Sequence, residues 1–408
     1  MKESADIVIV GAGVIGLSTA LQLRRRSNAR IVVLERANGV GAGSSGASSA
    51  ICRHLYTHPQ MITLARDGIN VYKQWMDFVQ LSQPRAQFQQ HGVLWFGHAD
   101  SAHKGQLASL GIAAEMLSDA ELVERFPAIN PCTLTPDFID GTEHDCTGGG
   151  THLFEPEAGY MDPQYVLEDL LDTLRAEEVE VRFSAQVTRL CVESGSVTGV
   201  ECADAKLSAP VVVNASGPWC NALLSDIDAI PQWPLVPTRI QVLYLDRPVE
   251  LEGHIPVCAD AASGIYFRTQ NQGQQLIVGS TRPEDDQEAV ADPDHFDKLT
   301  DDSFATRSLH ALHHRLPQLP YRGKVGGYAG LYTVNQTDMH PLVGDTPITG
   351  LFIANGFSGH GFKLAPAIGS LLAQQITGQV RSGDTAVPAS FLNCQRQPID
   401  LTQKSVLA

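Results

Sequence analysis

Apolar and polar positions near the start of the chain follow a β–α–β pattern. Residues 6–10 form a β-branched apolar run, residues 17–26 have helical spacing, and residues 29–36 form a second apolar run. The turn after the first run opens a Gly-x-Gly-x-x-Gly spacing at Gly11. The pattern therefore predicts strand, glycine turn, helix and strand, which is the order of a Rossmann-like unit.

The rest of the chain divides into mixed helix-and-strand blocks and one block of alternating strands. Residues 231–282 alternate apolar and polar positions, which is typical of antiparallel strands with one solvated face. Further helices are expected at 59–80, 119–126, 163–176, 363–377 and in parts of 283–314, and further strands at 91–98, 179–183, 187–194, 197–203, within 209–219, and at 351–355.

The length of 408 residues exceeds what one hydrophobic core usually serves, so two domains are expected. The predicted class is α/β, with a Rossmann-like dinucleotide-binding domain intertwined with an α+β substrate domain built on an antiparallel sheet. We assign residues 1–85, 151–230 and 325–408 to the first domain and residues 86–150 and 231–324 to the second.

Each glycine of the first turn has a physical reason to be there. Gly11 makes the tight turn, Gly13 lets the backbone approach a pyrophosphate, and Gly16 lets helix and strand pack closely. The helix N-terminus favours the negative charge of a pyrophosphate. Glu35, at the end of the second strand, is placed to accept a hydrogen bond from a ribose.

Three later segments carry related chemistry. A run of small residues at 39–56, ending in an Arg-His-x-Tyr cluster, suits a second phosphate or a ring edge, with a flexible linker as the alternative. The Asn-Ala-Ser-Gly turn at 214–217 follows a strand, and a glycine-rich loop at 356–362 precedes a helix. Lys363 in the first turn of that helix opposes the helix dipole, so a nearby ligand anion or a surface position would account for it.

Composition narrows the class of protein. The formal net charge of −16 argues against nucleic acid and anionic lipid as partners. No apolar run reaches the length needed to span a bilayer. The eight cysteines show no metal-ligand spacing, so no metal is predicted. Acidic residues precede the first apolar run and arginines follow it, unlike a secretory signal, so we expect reduced thiols in the cytoplasm.

The N-terminal unit, the Asn-Ala-Ser-Gly-Pro-Trp turn and the segment GFSGHGFKLAPAIG together resemble the FAD-dependent amine oxidoreductases of the D-amino-acid oxidase, glycine oxidase and sarcosine oxidase family. The resemblance covers nearly the whole chain and is most specific in the last segment. It implies extended FAD, with the pyrophosphate near Ser44 and Ser45, the adenine near Val187 and the isoalloxazine near the last glycine loop. The implied cofactor residues are Gly11, Gly13, Val14, Ile15, Gly16, Glu35, Arg36, Gly43, Ser44, Ser45, Ser48, Ser49, Ala50, Val187, Ser216, Gly217, Trp219, Gly330, Gly359, His360, Gly361, Phe362 and Lys363.

The same resemblance implies a substrate pocket. In the sarcosine oxidase branch an arginine and a lysine hold the substrate carboxylate, and the matching positions are Arg53 and Lys363. Tyr56 and Tyr332 match aromatic hydroxyls of that pocket. His360 lies in the glycine-rich loop that leads into the helix with Lys363, and we include it among the candidate catalytic residues. Arginine offers a bidentate fork and lysine a point charge, so the pair would orient the acid end of an amino acid.

Three departures from the family pattern matter. Gly330 stands where monomeric sarcosine oxidase bonds its flavin through cysteine, so non-covalent FAD is predicted. Ile277 stands where that enzyme has its oxygen-activating lysine, which favours a dehydrogenase unless Lys363 supplies the charge. Tyr332 stands where glycine oxidase has its carboxylate-binding arginine, which weakens a glycine-oxidase interpretation.

The resemblance thus implies an enzyme that oxidises the C–N bond of a secondary or N-methylated amino acid, such as sarcosine or proline, to an imine by hydride transfer to flavin N5. A 2-hydroxy-acid oxidoreductase and an FAD-bearing subunit of a hetero-oligomeric amine dehydrogenase with an electron-accepting partner are the alternatives. An NAD-binding protein without flavin is a third.

Overall fold

The computed structural model describes residues 3–98, 100–133, 148, 150–203, 205–320 and 323–400. The helices in these ranges are α1 (Val14–Arg24), α2 (Pro59–Lys73), α3 (Trp75–Val79), α4 (Ser101–Ser109), α5 (Asp119–Arg125), α6 (Pro163–Ala176), α7 (Cys220–Leu224), α8 (Asp302–Arg315) and α9 (Gly361–Thr377). The strands are β1 (Glu3–Ser4), β2 (Ile7–Val10), β3 (Ile31–Leu34), β4 (Ile51–Cys52), β5 (Val93–Trp95), β6 (Glu115–Ser118), β7 (Thr151–Glu155), β8 (Gly159–Tyr160), β9 (Glu180–Arg182), β10 (Val187–Glu193), β11 (Ser196–Cys202), β12 (Ala205–Ser208), β13 (Val211–Asn214), β14 (Leu235–Asp246), β15 (Val257–Asp260), β16 (Ile265–Gln270), β17 (Gln275–Ser280), β18 (Val325–Asn335), β19 (Leu342–Asp345) and β20 (Leu351–Asn355).

A six-stranded sheet, counted over the described residues, forms the first layer, in the order β19-β20-β13-β2-β3-β9. Strands β20, β13, β2, β3 and β9 run parallel, and β19 is an antiparallel edge strand. The register aligns Val8 with Val32, and both are fully buried. Strands β2 and β3 with the connecting helix α1 form the predicted βαβ unit, which confirms the Rossmann-like part of the fold class.

An eight-stranded sheet, again counted over the described residues, forms the second layer, in the order β18-β14-β17-β16-β15-β5-β7-β6. It is largely antiparallel, with one parallel pair between β15 and β5. Two of its strands, β7 and β18, come from segments that we assigned to the dinucleotide-binding domain. The domain boundaries stay a prediction, and these two strands are where the observed sheets depart from it.

Two smaller sheets complete the fold. A four-stranded sheet β1-β12-β11-β10 and a two-stranded sheet β4-β8 are also present in the described ranges. Strands β4 and β8 pair Ile51 with Tyr160 and thereby tie the run of small residues to the segment before α6. The helix predicted over 59–80 is interrupted at Gln74, whose ψ of 37° breaks the α-helical path and separates α2 from α3.

Helices α1 and α9 pack against each other on one face of the six-stranded sheet. Gly369 of α9 is buried, and a Cβ atom there would lie 2.8 Å from the carbonyl carbon and oxygen of Ser18 in α1. Backbone of one helix therefore touches backbone of the other at this point. No helix in the described part of the chain has both the length and the hydropathy to cross a bilayer.

The α1–α9 contact generates a stability prediction. We expect Gly369→Ala to lower the free energy of unfolding by about 1–3 kcal/mol, because the new methyl group meets backbone that cannot rotate away. The matched control is Gly105→Ala in the middle of α4, where a Cβ atom meets nothing within 4 Å. The control should be unchanged or more stable by up to about 1 kcal/mol. Urea unfolding followed by circular dichroism measures both, and equal midpoints for the two variants would contradict the packing argument.

Candidate active site

A single cavity of about 640 Å³ connects the two glycine-rich segments. The N-terminal turn around Gly11 and the loop around Gly359 both line it, although they lie near opposite ends of the chain. Most of the residues predicted to bind the cofactor line this cavity: Gly11, Gly13, Val14, Ile15, Glu35, Arg36, Gly43, Ser44, Ser45, Ser48, Val187, Ser216, Gly217, Trp219, Gly330, Gly359, Gly361 and Phe362.

Five predicted cofactor residues do not line the cavity among the described residues: Gly16, Ser49, Ala50, His360 and Lys363. Gly16 packs against the Gly11 carbonyl, which is the helix–strand role predicted for it. Ser49 lines a small adjoining cavity, and Ala50 is buried in the core. His360 and Lys363 are buried beside Gly361 and Phe362, which do line the cavity. For these five positions, direct contact with the cofactor stays a prediction.

The N-terminal turn is shaped by close backbone approach. Gly11 has a φ of +106°, and a Cβ atom there would lie 2.6 Å from the Ala215 carbonyl oxygen. Only glycine fits this conformation without strain. At the start of α1 the backbone N–H of Val14 donates to the Ser45 hydroxyl at 3.0 Å, so the small-residue run folds over the helix N-terminus.

Glu35 holds the same end of the cavity. Its two carboxylate oxygens accept hydrogen bonds from the backbone N–H groups of Ala12 and Ala37, each at 2.9 Å. Carboxylate oxygens have further lone pairs, so the side chain retains acceptor capacity for a ribose hydroxyl.

Three interacting side chains, from Arg36, Trp219 and Asp294, line one side of the cavity. The Arg36 guanidinium lies 4.6 Å from the ring centroid of Trp219 and 2.8 Å from a carboxylate oxygen of Asp294. The Trp219 indole N–H also donates to Asp294 at 3.0 Å. Arg36 and Trp219 were predicted from the sequence, whereas Asp294 was missed because it lies in an acidic segment without a recognisable pattern.

The groups around this part of the cavity fit a dinucleotide. The N-terminus of α1 carries the positive end of the helix dipole. Gly11 and Gly13 lie next to it and have no side chains that would block access to the backbone. The Ser44 hydroxyl is buried and, among the described residues, has no hydrogen-bond partner. A buried polar group in that state is satisfied when a ligand oxygen reaches it. These are the properties that a pyrophosphate site requires.

The second glycine segment begins α9 at the other end of the cavity. Ser358 and Gly359 both have positive φ, and a Cβ atom on Gly359 would lie 2.7 Å from the Tyr332 ring. The Ser358 hydroxyl accepts a hydrogen bond from the Asn335 backbone N–H at 3.0 Å, which ties the loop to β18. Tyr332 lines both this end of the cavity and the small adjoining one.

The structure brings four of the five predicted substrate-binding residues together around Tyr56, whereas Tyr332 lies against Gly359 in the wall of the cavity. The Arg53 guanidinium lies 4.2 Å and the Lys363 ammonium 5.8 Å from the Tyr56 ring centroid, and the His360 ring packs edge-on against it at 5.2 Å. All four side chains are buried. Their contact with a substrate stays a prediction.

Burial sets the electrostatics of this cluster. Desolvation, together with the nearby Arg53 charge, lowers the pKa of Lys363 to about 7. Desolvation raises the pKa of Tyr56 to about 12, so its hydroxyl keeps its proton at neutral pH. Among the described residues that hydroxyl has no hydrogen-bond partner. The cluster therefore combines basic side chains with the buried Tyr56 hydroxyl, which can donate a hydrogen bond to a ligand.

Two further polar residues lie near the site. Arg268 of β16 is buried, donates to the Ser49 carbonyl at 2.7 Å and stacks 4.3 Å from the Tyr160 ring centroid. Burial and the neighbouring Asp285 raise the pKa of Asp286 to about 7. Asp286 was missed because it lies in an acidic segment whose local pattern gives no signal for a buried carboxyl group.

Two further predictions concern metals and thiols. No cluster of three or more metal-ligating side chains occurs in the described part of the chain. The seven cysteines in that part are free thiols, and Cys146 lies outside the described residues. Ile277 is buried in β17, and its correspondence to the oxygen-activating lysine of monomeric sarcosine oxidase stays a prediction.

The fold and cavity are those of a Rossmann-type dinucleotide-binding protein with a separate, largely antiparallel sheet. The family model described as FAD dependent oxidoreductase, abbreviated DAO, matches residues 6–375, so the chain belongs to this family. The predicted family, enzyme class and cofactor FAD are thereby confirmed.

Individual relatives agree with this assignment. A bovine protein named FAD-dependent oxidoreductase domain-containing protein 1 is 27% identical, with 92% of this chain and 81% of its own length covered. The monomeric sarcosine oxidase of Streptomyces avermitilis is 26% identical, with 97% and 98% covered. The crystal structure of L-proline dehydrogenase from P. horikoshii superposes with a TM-score of 0.80 at 20% identity, covering 96% of this chain and 97% of that one, and so confirms the fold.

Proposed function

We propose that this FAD-dependent enzyme oxidises the C–N bond of a secondary or N-methylated amino acid, such as sarcosine or proline, to an imine. The observation that carries the proposal is the buried pair of basic side chains, Arg53 and Lys363, packed around Tyr56 next to Phe362, which lines the cavity at the start of α9. Bound FAD supplies the oxidising power by accepting a hydride from the carbon next to the nitrogen. Names of relatives support the substrate class, since a sarcosine oxidase and an L-proline dehydrogenase share this fold.

The basic pair suits the acid end of such a substrate. A substrate carboxylate that reaches this cluster would lie near two basic side chains, and their burial reduces the screening of the attraction by salt. The Arg53 guanidinium can donate two parallel hydrogen bonds, and Lys363 adds a point charge when it is protonated. Fixing the carboxylate orients the rest of the molecule and lowers the entropic cost of reaching a reactive geometry.

Residues of both glycine-rich segments would hold the cofactor. The turn at 11–16, Glu35, Ser44 and Ser45 would hold the adenosine and pyrophosphate part, and the loop at 356–362 would lie at the flavin part. The N-terminus of α9 offers backbone N–H groups that favour negative charge there without rearrangement. We further propose that the FAD is non-covalent, because Gly330 has no side chain to bond it, and that the enzyme is cytoplasmic.

One prediction concerns the substrate of the enzyme. Under anaerobic conditions, N-methyl or cyclic amino acids should bleach the flavin absorbance in stopped-flow mixing, whereas the matched 2-hydroxy acids should not. Bleaching by hydroxy acids alone would contradict the proposal and favour a 2-hydroxy-acid oxidoreductase. Bleaching by amines with very slow recovery in air would instead indicate a dehydrogenase, or a subunit that passes electrons to a partner. A well-folded but colourless protein that takes up no FAD would exclude the function.

The pKa of Lys363 generates a pH prediction. Because the pKa is lowered to about 7, the ammonium loses its proton as the pH rises through that value. Affinity for a carboxylate ligand should then fall by up to about tenfold per pH unit above pH ~7. Pyrrole-2-carboxylate, which has no hydrogen on its carboxyl-bearing carbon to be oxidised, serves as the probe, and its dissociation constant is read from the flavin absorbance change.

Variants isolate the Lys363 contribution. Lys363→Met should bind the probe weakly and without that pH dependence. Lys73→Met removes a partly exposed lysine that pairs with Glu157, so it should behave like the unmodified protein. A wild-type affinity that stays constant between pH ~6 and ~9 would contradict the role of Lys363.

The position of Gly330 generates a prediction about attachment. Acid precipitation should release the FAD into the supernatant, because unfolding breaks the non-covalent contacts and the proposal includes no covalent bond between FAD and the protein. The absorbance of supernatant and pellet measures the two fractions, and albumin mixed with free FAD calibrates carry-over. Flavin colour that stays in a washed pellet would show a covalent attachment at another residue.

A further inference from the structure

Glu155, at the end of β7, is a fully buried carboxylate that sequence patterns did not single out. One of its oxygens accepts hydrogen bonds from the His54 backbone N–H at 2.7 Å and lies 3.0 Å from the His54 ring Nδ1. The other accepts from the Trp95 indole N–H at 2.8 Å and from the Leu55 backbone N–H at 3.4 Å. Glu155 is thus hydrogen-bonded to two segments of the chain, residues 54–55 after β4 and Trp95 in β5.

Those two segments hold the Arg53 side chain. Residues 53–56 follow β4, and the Arg53 guanidinium donates to the Leu55 carbonyl within that segment. Its carbon Cζ lies 4.2 Å from the Tyr56 ring centroid and 5.3 Å from that of Trp95. Arg53 is therefore placed against two aromatic rings, and Glu155 anchors the ring of Trp95 and the backbone that leads to Tyr56.

Charge gives Glu155 a second effect on the same cluster. Burial opposes its ionisation, but the hydrogen bonds from His54 and Trp95 outweigh burial and lower its pKa, so it is an anion at neutral pH. Its negative charge acts to raise the pKa of Lys363, against the larger effects of burial and Arg53. A buried carboxylate thus offsets part of the positive charge at the site.

We propose that Glu155 is a positioning residue that holds Arg53 against Trp95 and Tyr56 and thereby sets the affinity of the enzyme for the substrate carboxylate. The inference rests on the proposed function, because it assigns Arg53 to the carboxylate. Glu155 acts through hydrogen bonds to its neighbours and makes no contact with the substrate itself. The same geometry explains why a carboxylate is needed: each oxygen meets N–H donors, and a glutamine would present its own N–H₂ group to one set of them.

The test compares Glu155→Gln with the unmodified holoenzyme. The dissociation constant of pyrrole-2-carboxylate should rise by about 10- to 100-fold, the scale expected when a binding group is misplaced by about an ångström. Binding of the uncharged pyrrole-2-carboxamide and of FAD should change by less than about threefold, which is within the uncertainty of such comparisons. A loss confined to the carboxylate cannot come from general loosening of the fold. Arg53→Ala gives the size of a complete loss.

A matched control is available elsewhere in the chain. Asp169 is likewise a fully buried carboxylate, and it accepts from the Trp75 indole N–H and from the backbone N–H groups of Arg85 and Ala86, each at 2.9 Å. Asp169→Asn should lower the thermal midpoint to a similar extent and leave the carboxylate affinity unchanged. Glu155→Asp, which keeps charge and both oxygens, is the milder variant if the glutamine form does not fold, and its affinity should be intermediate.

The outcomes separate the two proposals. Unmodified protein that binds the carboxylate, together with a folded Glu155 variant that binds it equally well, overturns the role of Glu155 and leaves the proposed function standing. Unmodified protein that neither binds the carboxylate nor is reduced by any amine overturns both. Equal losses for the carboxylate and the carboxamide also overturn the positioning role, because they show a structural effect without selectivity for charge.

Discussion

The contact between α1 and α9 is the constraint on which the cavity depends. Both helices begin at the cavity, α1 after Gly13 and α9 after His360, and they touch backbone to backbone where Gly369 meets Ser18. Because helices are stiff, this one contact fixes how far apart their N-termini lie. A long dinucleotide needs favourable partial charge at two separate points, and two helix N-termini locked in one packing arrangement supply it without moving when the ligand arrives.

The second layer is connected to this arrangement by hydrogen bonds from its strands to the run of small residues. Tyr328 of β18 donates to the Ala47 carbonyl at 3.2 Å, and Arg268 of β16 donates to the Ser49 carbonyl. Both acceptors belong to the run of small residues that lies over the start of α1. The eight-stranded sheet is therefore hydrogen-bonded to the segment that lies beside the cavity. These bonds fix the position of that sheet relative to the start of α1.

Sequence reasoning succeeded where the signal was local. The βαβ unit and the second glycine loop each combine a strand, a turn with special backbone requirements and a helix start within about 30 residues, so spacing alone predicts them. Strands β4 and β8 have two residues each, too few to show a period, and they exist only because they pair with each other. Glu155 was missed for the same reason: its partners His54 and Trp95 are distant in sequence. The resemblance implied Arg53 and Lys363, whereas Glu155 is recognised only from the structure, through its hydrogen bonds to His54, Leu55 and Trp95.

The buried basic side chains reconcile the anionic substrate of the proposed function with a formal net charge of −16. Charges on surface carboxylates are screened by salt over about 10 Å, whereas buried charges are screened much less. Within the Tyr56 cluster the Glu155 charge acts to raise the pKa of Lys363, whereas burial and the Arg53 charge act to lower it to about 7. The ammonium of Lys363 therefore loses its proton as the pH rises through that value. Under the proposed function, the attraction of the cluster for a substrate carboxylate weakens over the same pH range.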